Sequence, residues 1–200
     1  LKIFPRGYFL EKLSVFSSGK ETMKARDRVL NLLDEAKKAD IGYNQARRTT
    51  WFDRKTRKII PHKAADCTSL SAGLWYLAGI GINPDTWSEA IVDDAIIAGA
   101  GVTDVSGWDL VSIQDRMRPG DIIRGKGHAV IVDRDKRVYS AEHDENGKAS
   151  GGKDGQQVST EIYTRDLYKR TAAGSRSGWS HLLIVPEIDV ADDGIAVPFV

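Results

Sequence analysis

Asp66-Cys67-Thr68-Ser69-Leu70-Ser71-Ala72-Gly73-Leu74-Trp75-Tyr76-Leu77 is the stretch from which the rest of the chain can be read. It is apolar along most of its length and predicts a helix from Cys67 to about Ala78, stopped by Gly79 and Gly81. Cys67 is the single cysteine of 200 residues and falls in the first turn of that helix. A thiol there faces the positive end of the helix dipole and several unpaired backbone N–H groups, which together favour thiolate over thiol. A cysteine in mid-helix is ordinarily a small buried hydrophobe. One at the helix start, with a candidate base and acid downstream, reads as a nucleophile. The base is His128, at the head of Gly127-His128-Ala129-Val130-Ile131-Val132, whose β-branched run predicts a strand.

Working outward from this helix, Met23, Val29, Leu30, Leu33 and Ala36 recur at helical spacing, and Asp40-Ile41-Gly42 ends the pattern. Residues 42–66 form a long polar connection around Trp51-Phe52, with Arg57-Lys58-Ile59-Ile60 as one arm of a short hairpin. Asn83-Pro84-Asp85-Thr86 leads into a third helix, with Thr86 as N-cap, Glu89 as its capping-box partner, and Trp87, Ile91, Ala95 and Ala98 as the apolar stripe. Segment 102–117 carries no clear period. Arg118-Pro119-Gly120-Asp121 is a turn into Ile122-Ile123-Arg124, and the runs 127–132 and 137–142 flank Asp133-Arg134-Asp135-Lys136 as an antiparallel hairpin. A glycine-rich loop, 147–155, precedes strands at 157–162 and 181–185. Helices first and strands later predict an α+β fold with the helices on one face of an antiparallel sheet. The expected organisation is an arm or linker at 1–20, one catalytic domain at 21–186 and an acidic tail at 187–200.

With 41% apolar residues the chain can build one substantial core. Twenty-nine basic against 28 acidic residues leave a formal charge of +1, so the overall field offers nothing to nucleic acid. Arg47, Arg48, Arg54, Lys55, Arg57, Lys58 and Lys63 crowd the segment before the nucleophile. They read first as a solvated basic loop and second as a contact for an anionic polymer. A lone cysteine forms no internal disulfide. No apolar run reaches the length of a membrane span, and Leu1-Lys2-Ile3-Phe4-Pro5-Arg6 is broken by charge and proline before a secretory leader could form. Cys67, His128, His143, Asp144 and His181 are metal-ligand types, but no close pair such as Cys-x-x-Cys accompanies them, so neither metal nor cofactor is expected.

The order Asp-Cys-Thr-Ser on a helix, Arg-Pro-Gly-Asp-Ile-Ile, Gly-His-Ala-Val-Ile-Val and Tyr139-Ser140-Ala141-Glu142 resembles the papain-like NlpC-type and CHAP-type peptidoglycan hydrolases, especially those of bacteriophage lysins. The likeness spans residues 22–185. It implies a papain-like fold and a thioester mechanism at a wall-peptide amide, either as endopeptidase or as N-acetylmuramoyl-L-alanine amidase. The implied catalytic set is Cys67, His128 and Glu142. CHAP-type enzymes place their glutamate where Glu142 stands, whereas NlpC-type enzymes place a histidine or amide nearer Ser140. By strand period Ser140 and Glu142 share a face, with His143 and Asp144 as alternatives. Family members use a tyrosine before the cysteine to hold the oxyanion; Tyr43 matches it, with the Cys67 backbone N–H as a second donor. The gap from Tyr43 to Cys67 exceeds the family pattern by an insertion at 44–65. The glycine-rich stretch Gly151–Ser159 matches the phage pattern only in part and takes no role. The resemblance further implies peptidoglycan as substrate, a monomer, and a phage-encoded protein that reaches the wall through a lysis pore or on a virion. Competing readings are a non-catalytic wall-binding module on the same fold and a thiol acyltransferase or transpeptidase.

Overall fold

The computed structural model describes residues 21–143, 162–170 and 177–191. Chain order begins β1 (Thr22–Lys24), α1 (Ala25–Lys38), β2 (Gly42–Tyr43), a 3-10 turn (Gln45–Arg47), β3 (Phe52–Asp53), β4 (Lys58–Ile59), β5 (Ala64–Ala65) and α2 (Cys67–Leu77). It continues with α3 (Ile91–Ile97), β6 (Gly101–Asp104), α4 (Leu110–Arg116), β7 (Ile122–Gly125), β8 (His128–Val132), β9 (Val138–Ala141), β10 (Ile162–Arg165), β11 (Trp179–Ile184) and β12 (Asp189–Ala191). The fold is mixed α and β, organised on a six-stranded antiparallel sheet in the order β10-β9-β8-β7-β11-β6. The hairpin expected at 127–142 is β8–β9, registered Ile131↔Tyr139 and Val132↔Val138.

Alternate residues of the sheet feed two separate cores. Ile122, Ala129, Ile131, Tyr139, Ala141 and Leu183 face α1 and α2, while Ile123, Val130, Val132, Val138 and Leu182 face the opposite side. Burial on both faces explains why these strands read as continuous apolar runs, not as alternation. The second face corrects the expectation of helices on one side. The unassigned segment 102–117 holds β6 and α4, and Ile113 and Met117 from α4 and its C-terminus cover that side.

Helix α2 is the central element, with Ser69, Leu70, Leu74, Trp75 and Leu77 fully buried between α1 and strands β8 and β9. Its close is a Schellman motif: the Gly79 N–H donates to Tyr76 O and the Ile80 N–H to Trp75 O, each at 3.0 Å, with Gly79 at φ 90°. Gly73 is required by packing, since a Cβ there would stand 2.5 Å from Trp51 Cζ2.

Two further corrections concern helix and tail limits. The third helix begins at Ile91 with Ala90 as its N-cap, not at Thr86, and Glu89 closes no capping box. Arg48 and Arg124 claim the carbonyls of Asp85, Thr86 and Ser88, so that segment turns instead of helicising. The expected tail starts with structure: β12 pairs antiparallel with β1, and Val190 is fully buried. Residues 1–20, the loop 147–155 and the expected strand at 157–161 lie outside the described residues, and β10 takes up its last position, Ile162.

Candidate active site

The first turn of α2 is built to be rigid. Asp66 is its N-cap: the Asp66 carboxylate accepts from the Ser69 N–H at 2.7 Å, and Ser69 Oγ accepts from the Asp66 N–H at 3.0 Å, forming a closed capping box. Asp66 is also paired with Arg48, Nε to Oδ2 at 2.6 Å, with both side chains almost wholly buried. Arg48 reaches on to the Asp85 and Thr86 carbonyls and lies 3.8 Å from the centre of the Trp87 ring. One arginine therefore ties the insertion, the N-cap beside Cys67 and the 85–87 turn together.

The insertion also closes on itself. Strand β2 pairs in parallel with β5, in register Tyr43↔Ala65, so the chain leaves at Tyr43 and returns beside it just before Cys67. The extra residues 44–65 thus leave Tyr43 near the helix start, and Tyr43 and Cys67 line one cleft. Within the insertion the expected hairpin forms between β3 and β4. Its basic residues are largely engaged: Arg54 pairs with Asp85, and Arg57 donates to Tyr76 O and lies over the Tyr76 ring.

The cleft has a volume of about 420 Å³, and its walls include Tyr43, Asp66, Cys67, Trp87, His128, Glu142, His143 and Tyr168. Cys67 is partly exposed, as a nucleophile must be. His128, 7% exposed, lines the same cleft as Cys67, and its imidazole hydrogen-bonds Glu142. Its Nε2 is 3.1 Å from Glu142 Oε1 and 3.4 Å from Ser140 Oγ. Burial works against the charged imidazolium. Interactions with Glu142 and Cys67 outweigh that effect and hold His128 above its ordinary value.

Of the alternatives for the acid, Ser140 also reaches the imidazole, while His143 lines the cleft and Asp144 falls outside the described residues. Glu142 is held by more than the histidine. Its Oε1 accepts from Arg165 Nη2 and from Tyr168 Oη, each at 2.7 Å. Trp179 stands beside the imidazole, ring centres 6.0 Å apart, and donates from Nε1 to Tyr168 O at 2.8 Å. Sequence reading missed Arg165, Tyr168 and Trp179. Nothing in their spacing marks them, because β10, the segment after it and β11 bring them to the site from far along the chain.

Among the described residues, no three His, Cys, Asp or Glu side chains group as metal ligands, and no helix is long and apolar enough to cross a membrane. Residues 138–196 match the family model of the endolysin-like domain, ELLD. That segment holds Glu142, Arg165, Tyr168 and Trp179 but neither Cys67 nor His128, and the match suggests a cell-wall lytic function. No curated protein and no solved structure matches the chain.

Proposed function

We propose that the protein is a peptidoglycan hydrolase that cuts an amide of the wall peptide by thiol chemistry, of the papain-like NlpC or CHAP kind, and that it is a phage lysin. One observation carries the reading: the partly exposed Cys67 thiol and the His128 imidazole line one cleft, with the Glu142 carboxylate 3.1 Å from the ring. A helix-borne cysteine followed by a strand-borne histidine and an acid just past the next strand supports the papain-like arrangement, and the endolysin-like match supports the substrate.

In this reading Cys67 Sγ attacks the carbonyl carbon of the scissile amide. With Nε2 engaged by Glu142, Nδ1 is the ring nitrogen left to take the thiol proton, and it passes that proton to the amine as the C–N bond breaks. Glu142 fixes the ring and balances the imidazolium. Water then enters, gives its proton to His128 and breaks the thioester, releasing the acid and restoring the thiol. The Cys67 N–H and Tyr43 hold the oxyanion.

The test is digestion of purified bacterial cell walls with mass spectrometry of the fragments. Wild type releases new amine and carboxyl termini at one bond type, which distinguishes endopeptidase from amidase. Cys67→Ala and His128→Ala release none while keeping the wild-type circular dichroism. Equal release by the Cys67→Ala protein refutes the mechanism.

A further inference from the structure

We infer that Arg165 and Tyr168 are positioning residues that clamp Glu142 against His128, so that the orienting acid is held by three donors, not by the histidine alone. This rests on the hydrolase reading for its kinetic consequences but not for its geometry.

Glu142 directly follows Ala141, the last residue of β9. A glutamate with three rotatable bonds would leave the imidazole readily. Two donors prevent this. Arg165 Nη2 and Tyr168 Oη converge on the oxygen that faces His128, Oε1, and both bonds are short. The donors are themselves fixed. The Arg165 guanidinium lies 3.5 Å from the centre of the Tyr168 ring, so each donor braces the other. Tyr168 packs edge-on against Trp179 with ring centres 5.6 Å apart, and its carbonyl receives the Trp179 indole N–H. Trp179 in turn stands beside His128, closing a ring of contacts that starts and ends at the imidazole.

The clamp also decides what Glu142 does. Accepting from an arginine and a phenol on the oxygen that faces the ring, Glu142 is placed to support an imidazolium electrostatically. Burial and the bond to Glu142 push the Tyr168 hydroxyl far above its ordinary range, so it remains a donor at any working pH. Among the described residues, the charged and titratable groups that share the cleft with the imidazole are Tyr43, Asp66, Cys67, Glu142, His143, Tyr168, Lys169 and Arg170, with Arg165 on Glu142.

Tyr168→Phe and Arg165→Met are made alone, together, and on a Glu142→Gln background. Each single change lowers kcat for wall digestion about tenfold with KM unchanged, the loss of one charge-assisted hydrogen bond. Arg165→Lys restores part of the loss. On the Glu142→Gln background neither change has a further effect, because both act through that carboxylate. Undiminished losses on that background overturn the clamp and leave a merely structural role. A second readout needs no substrate: NMR titration of labelled histidine, with His128 assigned by His128→Gln. The double variant displaces the His128 midpoint in the same direction as Glu142→Gln does; an unmoved midpoint overturns the clamp. Should the Cys67→Ala protein digest walls as wild type does, the hydrolase mechanism falls while the titration still judges the clamp.

Discussion

Arg48→Met removes the charge that answers Asp66 and keeps most of the side-chain volume. Asp66 is 3% exposed and Arg48 7%, so the surviving carboxylate gains little hydration in place of its partner. Breaking a buried pair in this way costs about 3–5 kcal/mol, against total stabilities of about 5–15 kcal/mol for a domain. The stack on Trp87 goes as well, worth about 0.5–2 kcal/mol. In urea, a slope near 2 kcal/mol per molar turns the pair's loss into a midpoint shift of about 1.5–2.5 M. Asp66→Asn keeps an N-cap oxygen for the Ser69 N–H, so the double variant Arg48→Met/Asp66→Asn retains the cap without the stranded charge. Urea melts of wild type, both single variants and the double variant give the coupling energy directly. The double variant recovers at least about 2 kcal/mol of the summed single losses. An Arg48→Met midpoint within about 0.3 M of wild type, or additive losses, refutes the view that this pair anchors the start of α2.

Gly73→Ala drives a methyl into Trp51 and lowers stability by about 1–3 kcal/mol, read as a drop in melting temperature with the α2 core otherwise intact. His128 titrates above its ordinary value of 6.5 in the folded chain, so the stability it contributes is fully present below that pH and is lost as pH rises through the folded midpoint. Urea melts from about pH 5 to about pH 9 therefore show the stability gap between wild type and His128→Gln narrowing as pH rises; a gap constant with pH contradicts the assignment.

Much of the scaffold was legible because single elements carry their own signals. The α2 helix announces itself by an unbroken apolar run with a glycine stop, and β8–β9 by two apolar stretches around a charged turn. The Pro119-Gly120-Asp121 turn is legible too, and its structural use becomes plain in three dimensions. Asp121 accepts from the Arg118 and Val185 N–H groups and pairs with Arg26, joining the turn to β11 and α1. Burial pushes its carboxyl above the usual range against the pull of Arg26. What the sequence hid were features decided by distant partners. The start of α3 is set by two arginines that take the carbonyls before it, and local capping residues could not reveal that. The two-faced sheet required knowing that α4, a short and weakly periodic segment, had a face to cover. In the site, Cys67, His128 and Glu142 were visible as residue types in order, whereas Arg165 and Tyr168 meet the acid, and Trp179 the imidazole, only through the folding of distant segments.

The central claim is that Cys67 attacks the substrate, and the single cysteine of this chain allows a direct test on the wild-type protein. Iodoacetamide is added in stages, and intact-mass spectrometry is read alongside the rate of wall digestion. Digestion falls in proportion to the fraction carrying one carbamidomethyl group on Cys67, and soluble wall peptides slow the modification. A fully alkylated protein that still digests walls at the wild-type rate contradicts the claim.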